Sequence, residues 1–289
     1  MKKFILICFV SILTMYLSGC SKSELDDDLF ENPASQYELA VEGGINTYSS
    51  VQYIRLSQPA SHPDSVPTPV RKASVIVNDG RADIVFRETS NHGVYIGIST
   101  GDPNYNNAYK LTIKSGSKTY TAVDTLRQVV NIVDDFLPLS THLTTDGKVE
   151  LRIPKHTFGY LNPNKWFMVP APTLPLPPNT PILPLWNLAN FDENKNYSYT
   201  HFLGSPNSLY PLSNLNRSLQ FDPEQFIYIY KISLSEKYAQ YLYSVFMETD
   251  WNGLFSGVPV NIQGNISGNA QGYFSAVDVD RRRYAAKEL

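Results

Sequence analysis

One cysteine near the start of the chain has neighbours that suit modification of its thiol. Cys20 follows Ser18 and Gly19, whose small side chains let an extended backbone enter a peptidase cleft. A thiolate is a good nucleophile for acylation. The only other cysteine is Cys8, so a chain cut before Cys20 keeps one thiol and forms no internal disulfide. The residues therefore predict cleavage before Cys20 and acylation of its sulfur.

The residues before Cys20 have the parts of a secretory leader. Lys2 and Lys3 give a positive start, and residues 4–17 are uncharged. That apolar run is too short to cross a hydrocarbon core of about 30 Å. Leu17-Ser18-Gly19-Cys20 resembles the lipobox of bacterial lipoproteins at every position. We predict a lipoprotein signal peptide over 1–19 and anchoring to membrane lipid through Cys20.

A short polar segment follows the predicted anchor. Residues 20–36 are rich in acidic and small side chains, which cannot bury enough area to order themselves, so we expect a flexible tether. Acidic residues soon after a lipidated cysteine resemble the surface-export signal of Bacteroidetes lipoproteins. The resemblance implies a lipid-anchored, surface-exposed protein of the cell outer membrane, with the periplasmic face as the open alternative.

Tryptophans beside a proline-rich run are candidates for ligand contact. Trp166 precedes and Trp186 follows residues 170–184, of which seven of fifteen are proline. Proline fixes φ and removes backbone donors, which predicts an extended insertion. An aromatic ring on a loop can stack on a sugar or anchor a peptide. Trp186 and Trp166 are therefore our candidate ligand-binding residues. The alternative is that these two tryptophans, like Trp251, lie in the core.

No pattern in the chain indicates a metal centre or a catalytic group. The five histidines are scattered, with no pair three or four residues apart, and no nucleophile elbow or Walker loop is present. Asp278 and Asp280 do not fit a calcium loop, and we expect them to be solvated. Gly264, Gly268 and Gly272 recur every fourth residue, and turns between short strands explain them. The sequence predicts no metal, no cofactor and no enzyme.

The elements that must position these residues are mostly strands. Once Lys2 and Lys3 are removed, 22 basic residues face 27 acidic ones, and a formal charge of −5 argues against nucleic-acid binding. Alternation between residues 37 and 122 predicts seven strands, with hairpin turns at 78–80 and 114–117. We expect an N-terminal immunoglobulin-like antiparallel sandwich over 37–123.

A second β-rich domain is predicted over residues 124–289. It contains the proline-rich insertion and a long loop over 190–209. An amphipathic helix is expected over about 234–248, started by a capping box of Ser233 and Glu236. The predicted strands of this domain span 128–133, 148–153, 165–169 and 226–232.

The C-terminal part of the chain carries a recognisable order of aromatic residues and glycines. Its motifs are Trp251-Asn252-Gly253-Leu254-Phe255, Asn265-Ile266-Ser267-Gly268 and Gly272-Tyr273-Phe274-Ser275-Ala276. Together with Val41-Glu42-Gly43, they resemble a Bacteroidetes lipoprotein family, domain of unknown function 4249 (DUF4249). In this chain Asn252-Gly253-Leu254-Phe255 replaces the Asn-Pro-Phe of the family, and the proline-rich insertion is longer. The resemblance implies a companion of a TonB-dependent outer-membrane receptor.

These observations lead to one expected function and one alternative from another class. The first is a non-enzymatic binding or receptor-accessory lipoprotein, which takes a peptide or glycan ligand and works with a TonB-dependent transporter in nutrient uptake. The alternative is a structural or adhesive cell-surface protein with no small-molecule ligand. A hydrolase ranks third, because no catalytic motif supports it.

Overall fold

The computed structural model describes residues 37–59, 66–134, 139–154, 156–159, 163–170, 197–203, 216–249 and 262–289. These ranges contain sixteen strands and the helix α1 (Glu236–Thr249). Within them, no helix combines the length and the apolar character that a membrane crossing requires.

Seven strands with alternating side chains form the N-terminal part. Their inward residues are apolar, as with Val75 and Val77 of β3 and Leu111 and Ile113 of β6. Alternation with a period of two buries one face of each strand. The strands are β1 Leu39–Asn46, β2 Val51–Ser57, β3 Ser74–Asn78, β4 Asp83–Glu88, β5 Val94–Ile98, β6 Ala108–Ser115 and β7 Lys118–Thr125.

These strands pair as in an immunoglobulin-like sandwich. β1, β2 and β5 form one face, β4, β3, β6 and β7 form the other, and two residue pairs join β4 to β5. Gly80 (φ 88°) and Gly116 (φ 59°) occupy the two predicted hairpin turns. Ile54, Leu56 and Tyr95 are 0% exposed in the core between the faces. The predicted fold class, mainly β with an immunoglobulin-like sandwich, is confirmed.

A strand from the C-terminal region completes this first sandwich. β15 (Ala270–Val277) runs parallel to β1, with Leu39 opposite Ala270, and packs against β7. Phe274 and Ala276 are fully buried in the same core. The structure therefore differs from the predicted division at residue 124, because β15 lies in the sheet of region 37–123 rather than in the second domain.

The rest of the described chain forms a second pair of sheets. A five-stranded sheet, β10-β12-β11-β14-β16, packs on a three-stranded sheet, β13-β9-β8. Trp166 and Met168 of β11 meet Ile227 and Ile229 of β14 and Leu151 of β9 in the core between them. The strands are β8 Ser140–Leu143, β9 Val149–Pro154, β10 His156–Gly159, β11 Asn164–Pro170, β12 Tyr197–Leu203, β13 Asn216–Phe221, β14 Phe226–Ser233 and β16 Val279–Ala285.

The strand predicted over 128–133 is absent. Ile132–Asp134 forms a 3-10 turn instead. Side chains bind the backbone of this segment: Asp278 accepts the N–H of Val129 at 2.8 Å, and Lys231 donates to the carbonyl of Val130 at 2.8 Å. Because backbone groups must be satisfied when buried, these contacts take the place of a strand ladder.

The loop predicted over 190–209 contains a strand. β12 pairs with β11 on one side and with β10 on the other. Its sequence, Tyr-Ser-Tyr-Thr-His-Phe-Leu, is rich in aromatic and β-branched residues that favour strands. The prediction gave too much weight to the polar residues around it.

The helix is present close to its predicted bounds, but its cap is a different serine. The Oγ of Ser235 accepts the N–H of Tyr238 at 3.1 Å, which is the bond of an N-cap residue. Ser233, the predicted cap, ends β14 and donates its hydroxyl to the carbonyl of Arg127 at 2.6 Å. α1 packs against β12 and β15.

Candidate functional site

Most of the residues singled out by their chemistry fall outside the described ranges. These are Cys20, the lipobox residues Leu17, Ser18 and Gly19, and Trp186. Lipid attachment and ligand contact at these positions stay predictions.

Trp166 has the core position that was its alternative. Its side chain is 2% exposed and packs with Met168 and Ile227. The ammonium of Lys231 lies 5.2 Å from the centre of the indole ring. A ring enclosed in this way offers no face to a ligand, so the prediction of Trp166 as a ligand contact is corrected.

Asp278 and Asp280 are bound to the protein rather than solvated. Asp278 is 6% exposed and accepts the hydroxyl of Thr47 at 2.5 Å, and Asp280 accepts the N–H of Ile132 at 2.8 Å. Tyr105 donates to Asp278 at 3.2 Å, and burial together with this negative charge raises the pKa of Tyr105 to about 12. Across the described ranges, no three His, Cys, Asp or Glu side chains gather as a metal site would need.

Three tyrosines meet where α1 lies beside β15. Tyr238 and Tyr241 are three residues apart on one side of the helix, and Tyr273 comes from the strand. The ring centre of Tyr273 lies 4.8 Å from that of Tyr238, in a stacked pair, and 4.9 Å from that of Tyr241. Aromatic pairs favour such offset contacts. We call these three residues the tyrosine cluster.

A buried carboxylate supports the tyrosine cluster from the first sandwich. Asp124 of β7 is 3% exposed and accepts the N–H of Ala276 at 2.9 Å, while its other oxygen lies 3.5 Å from the hydroxyl of Tyr273. Burial raises the pKa of Asp124, against the effect of hydrogen bonds from Ser235, Ala276 and Tyr273. Burial also raises the pKa of Tyr273, so its phenol is neutral near pH 7.

On one side of the tyrosine cluster, a cleft of about 430 Å³ lies between α1 and strands β1 and β15. All three tyrosines line it, with Leu242 and Val245 as further apolar surface. Lys165 and Glu42 place one charge of each sign in the same cleft. We call it the helix–sheet cleft.

On the other side, a cleft of about 660 Å³ lies between α1, β7 and residues 263–267. Tyr241 and Tyr273 line this cleft too, together with Gln240, Ser244 and Lys237 of the helix. We call it the loop cleft, and the two tyrosines form the wall that both clefts share.

The wall of the loop cleft is fastened by an asparagine side chain. The amide of Asn265 donates to the carbonyl of Phe274 at 2.7 Å and to that of Val123 at 3.1 Å. Its oxygen accepts the N–H of Phe274 at 2.9 Å. Asn265 thus bridges β15 and β7, and it holds residues 263–267 at the rim.

The clefts have properties that are typical of small-molecule binding sites. Both have the volume of small-molecule sites, and they combine aromatic surface with a few polar groups. The site was not predicted from the sequence, because Tyr238 and Tyr241 fit the apolar face of a core helix. The residue type could have indicated the site, because tyrosines on the buried face of a helix bring hydroxyl groups that need hydrogen-bond partners.

The fold and the clefts define a class of protein in which two β-sandwiches share a C-terminal segment and present clefts beside the helix. The chain belongs to the family described as domain of unknown function (DUF4249), whose model matches residues 23–283. This match confirms the DUF4249 part of the resemblance, and its Bacteroidetes and lipoprotein parts stay predictions. No significant match was found among curated proteins.

Solved structures with some likeness contain receptor and fibronectin domains. A structure titled "Cytokine receptor complex - Crystal form 1A" is 8% identical, with 86% of this chain and 96% of that chain covered and a TM-score of 0.22. The chicken CNTN1 FN1-FN3 domains are 11% identical, with 69% and 63% covered and a TM-score of 0.23. Scores at this level carry no argument about function.

Proposed function

We propose that the protein is a lipid-anchored, non-enzymatic binding protein of the outer membrane, which takes a peptide or glycan ligand beside α1 and serves a TonB-dependent transporter. The observation that carries the proposal is the pair of clefts that share Tyr241 and Tyr273. An aromatic wall with amide, hydroxyl and ammonium groups around it suits a ligand that has both apolar faces and polar edges.

The charges in the clefts favour a ligand of low net charge. Lys165 and Glu42 line the helix–sheet cleft with one charge of each sign. The loop cleft has Lys237 beside uncharged Gln240 and Ser244. A sugar or a short peptide matches this balance better than a polyanion does.

The sequence supports the anchor half of the proposal. If Cys20 is acylated, eighteen residues separate it from the start of β1 at Leu39. At full extension they reach about 60 Å, far enough for the body to meet a neighbouring transporter in the same membrane.

The anchor is tested by exchanging each of the two cysteines. In cells fed an alkyne analogue of palmitate, Cys20→Ala abolishes labelling of the protein, whereas Cys8→Ala leaves it intact because Cys8 leaves with the leader. Equal labelling of both variants overturns the anchor.

The ligand is sought by incubating purified protein with glycan and peptide arrays. We expect binding to one ligand class, reduced uptake of that ligand by a deletion strain, and co-purification of a TonB-dependent transporter with the tagged protein. Unchanged uptake and no transporter in the pull-down reject the proposal. A loss of cell adhesion in the same strain supports the structural alternative.

A further inference from the structure

The edge of the second sandwich carries a row of arginines stacked on aromatic rings. Arg281 and Arg283 of β16 are exposed and lie on the face that also carries Tyr228 and Phe226 of β14, as their register requires. The guanidinium of Arg281 lies 4.9 Å from the ring centre of Tyr228 and that of Arg283 lies 3.6 Å from that of Phe226. Arg281 also lies 5.2 Å from the ring of Tyr48.

Stacking leaves donors of a guanidinium available to a carboxylate, and Arg281 uses one of its own to bind Tyr230. The flat face of the group rests on the ring, while its N–H groups point outward in the plane of the fork. Among the described residues, neither Arg281 nor Arg283 has an ion pair with a carboxylate, whereas Arg282, on the opposite face, lies 3.3 Å from Asp280. Within the described ranges, the positive charge of these two arginines is therefore not paired with a carboxylate, on a chain that is acidic overall.

In the part of the chain that the structure describes, the strand that carries these arginines lies at the edge of its sheet, with the 3-10 turn Ile132–Asp134 beside its first residues. β16 ends the order of the five-stranded sheet, with β14 on its inner side. In the described part of the chain, residues 281–284 make no backbone hydrogen bond to an element other than β14. Such an edge can accept an added strand, in which alternate side chains stand opposite those of the edge.

We propose that β16 is a docking edge for an extended acidic peptide segment, with carboxylates at alternate positions paired to Arg281 and Arg283. Residues two apart on a strand are about 7 Å apart, so carboxylates at positions i and i+2 of an added strand lie on the face of the sheet that carries the two guanidiniums. The tyrosine cluster and its clefts take no part, so this surface is independent of the proposed function.

The test is binding of a fluorescent eight-residue peptide with two glutamates at alternate positions, measured by polarisation on the full-length chain in detergent at low salt. The matched probe has the same composition with the two glutamates adjacent. The wild type is expected to bind the peptide with alternate glutamates more tightly than the peptide with adjacent glutamates. Arg281→Gln/Arg283→Gln weakens the affinity for the peptide with alternate glutamates about tenfold, as expected for the loss of two exposed charge pairs. Arg81→Gln/Arg87→Gln, two exposed arginines of the first sandwich, serves as the control and binds as the wild type does.

A charge exchange keeps the test decisive even if the glutamine variant is unstable. Arg281→Glu/Arg283→Glu is expected to bind a peptide with lysines at the alternate positions and to lose the glutamate peptide. Equal binding of the two glutamate peptides, no effect of the glutamine variant, or binding to vesicles of anionic lipid without binding to the peptide overturns the proposal.

Discussion

At the scale of single residues, the candidate site depends on a buried carboxylate as much as on its aromatic rings. Asp124 receives the N–H of Ala276 and faces the hydroxyl of Tyr273, so it joins β7 to β15 behind the tyrosine cluster. Ser235 ties the same carboxylate to the start of α1. The position of the rings is therefore linked to the protonation state of Asp124.

The first prediction concerns pH. Because burial raises the pKa of Asp124 in the folded state, the folded protein holds its proton more tightly than the unfolded chain, whose value is about 3.9. Its contribution to stability is therefore full below about pH 4 and is lost as pH rises through the folded pKa. Asp124→Asn lacks this dependence, so the free energy of unfolding of the wild type, relative to Asp124→Asn, is greater at pH 4 than at pH 7.

Urea denaturation of both proteins at the two pH values measures the difference. Asp102→Asn, an exposed site, is the control and shows a small change with pH. A constant difference between wild type and Asp124→Asn across this range would falsify the role assigned to burial.

At the scale of elements, glycines allow neighbouring backbone segments to approach closely. Gly272 lies inside β15 with φ at 108°, and a Cβ there would lie 1.9 Å from the carbonyl oxygen of Val41. A Cβ on Gly264 would lie 1.8 Å from the carbonyl oxygen of Gly272. The expectation that these two glycines are turn residues is therefore wrong: they allow close backbone approach.

The second prediction follows for Gly272→Ala. The added methyl group meets backbone that cannot move away without breaking the pairing of β1 with β15, so we expect a loss of about 3 kcal/mol or more in the free energy of unfolding. Gly116→Ala is the matched control, since Gly116 also has a positive φ but nothing lies within 4 Å of its Cβ position. It should cost about 1 kcal/mol. Equal losses in urea denaturation would contradict the close approach.

Local patterns were enough to predict β1 to β7 and α1, whereas long-range pairing was not predictable. Alternation and hairpin turns are properties of adjacent residues, and they were read correctly. The pairing of Leu39 with Ala270 depends on contacts across most of the chain, and no local pattern encodes it. Asp124 and Tyr273 were missed as site residues for the same reason, because only the fold brings them together.

At the scale of the whole molecule, the C-terminal segment connects the two sandwiches. β15 belongs to the first sheet and β16 to the second, and Asp278 is the one residue between them. Its carboxylate binds Thr47 and Tyr105 of the first sandwich and the backbone of Val129. A change of this residue should therefore loosen the connection between the two sandwiches.

The third prediction is made for Asp278→Ala. The change removes both acceptor oxygens, so the part-buried N–H of Val129 loses its partner, at a cost of about 1–3 kcal/mol. Hydrogen exchange of the Val129 and Ile132 amides should accelerate, while that of the β3 and β6 amides changes less. Exchange that is unaltered at Val129 would argue against the connection.

The most direct test of the central claim compares two tyrosines of the same helix. Tyr241 lines both clefts, and Tyr243, which is 38% exposed, lines neither. With the ligand found on the arrays, isothermal titration should show that Tyr241→Ala weakens binding about tenfold or more, as for the loss of an aromatic anchor, and that Tyr243→Ala binds as the wild type does. Wild-type affinity in Tyr241→Ala, or an equal loss in both variants, would contradict a ligand site beside α1.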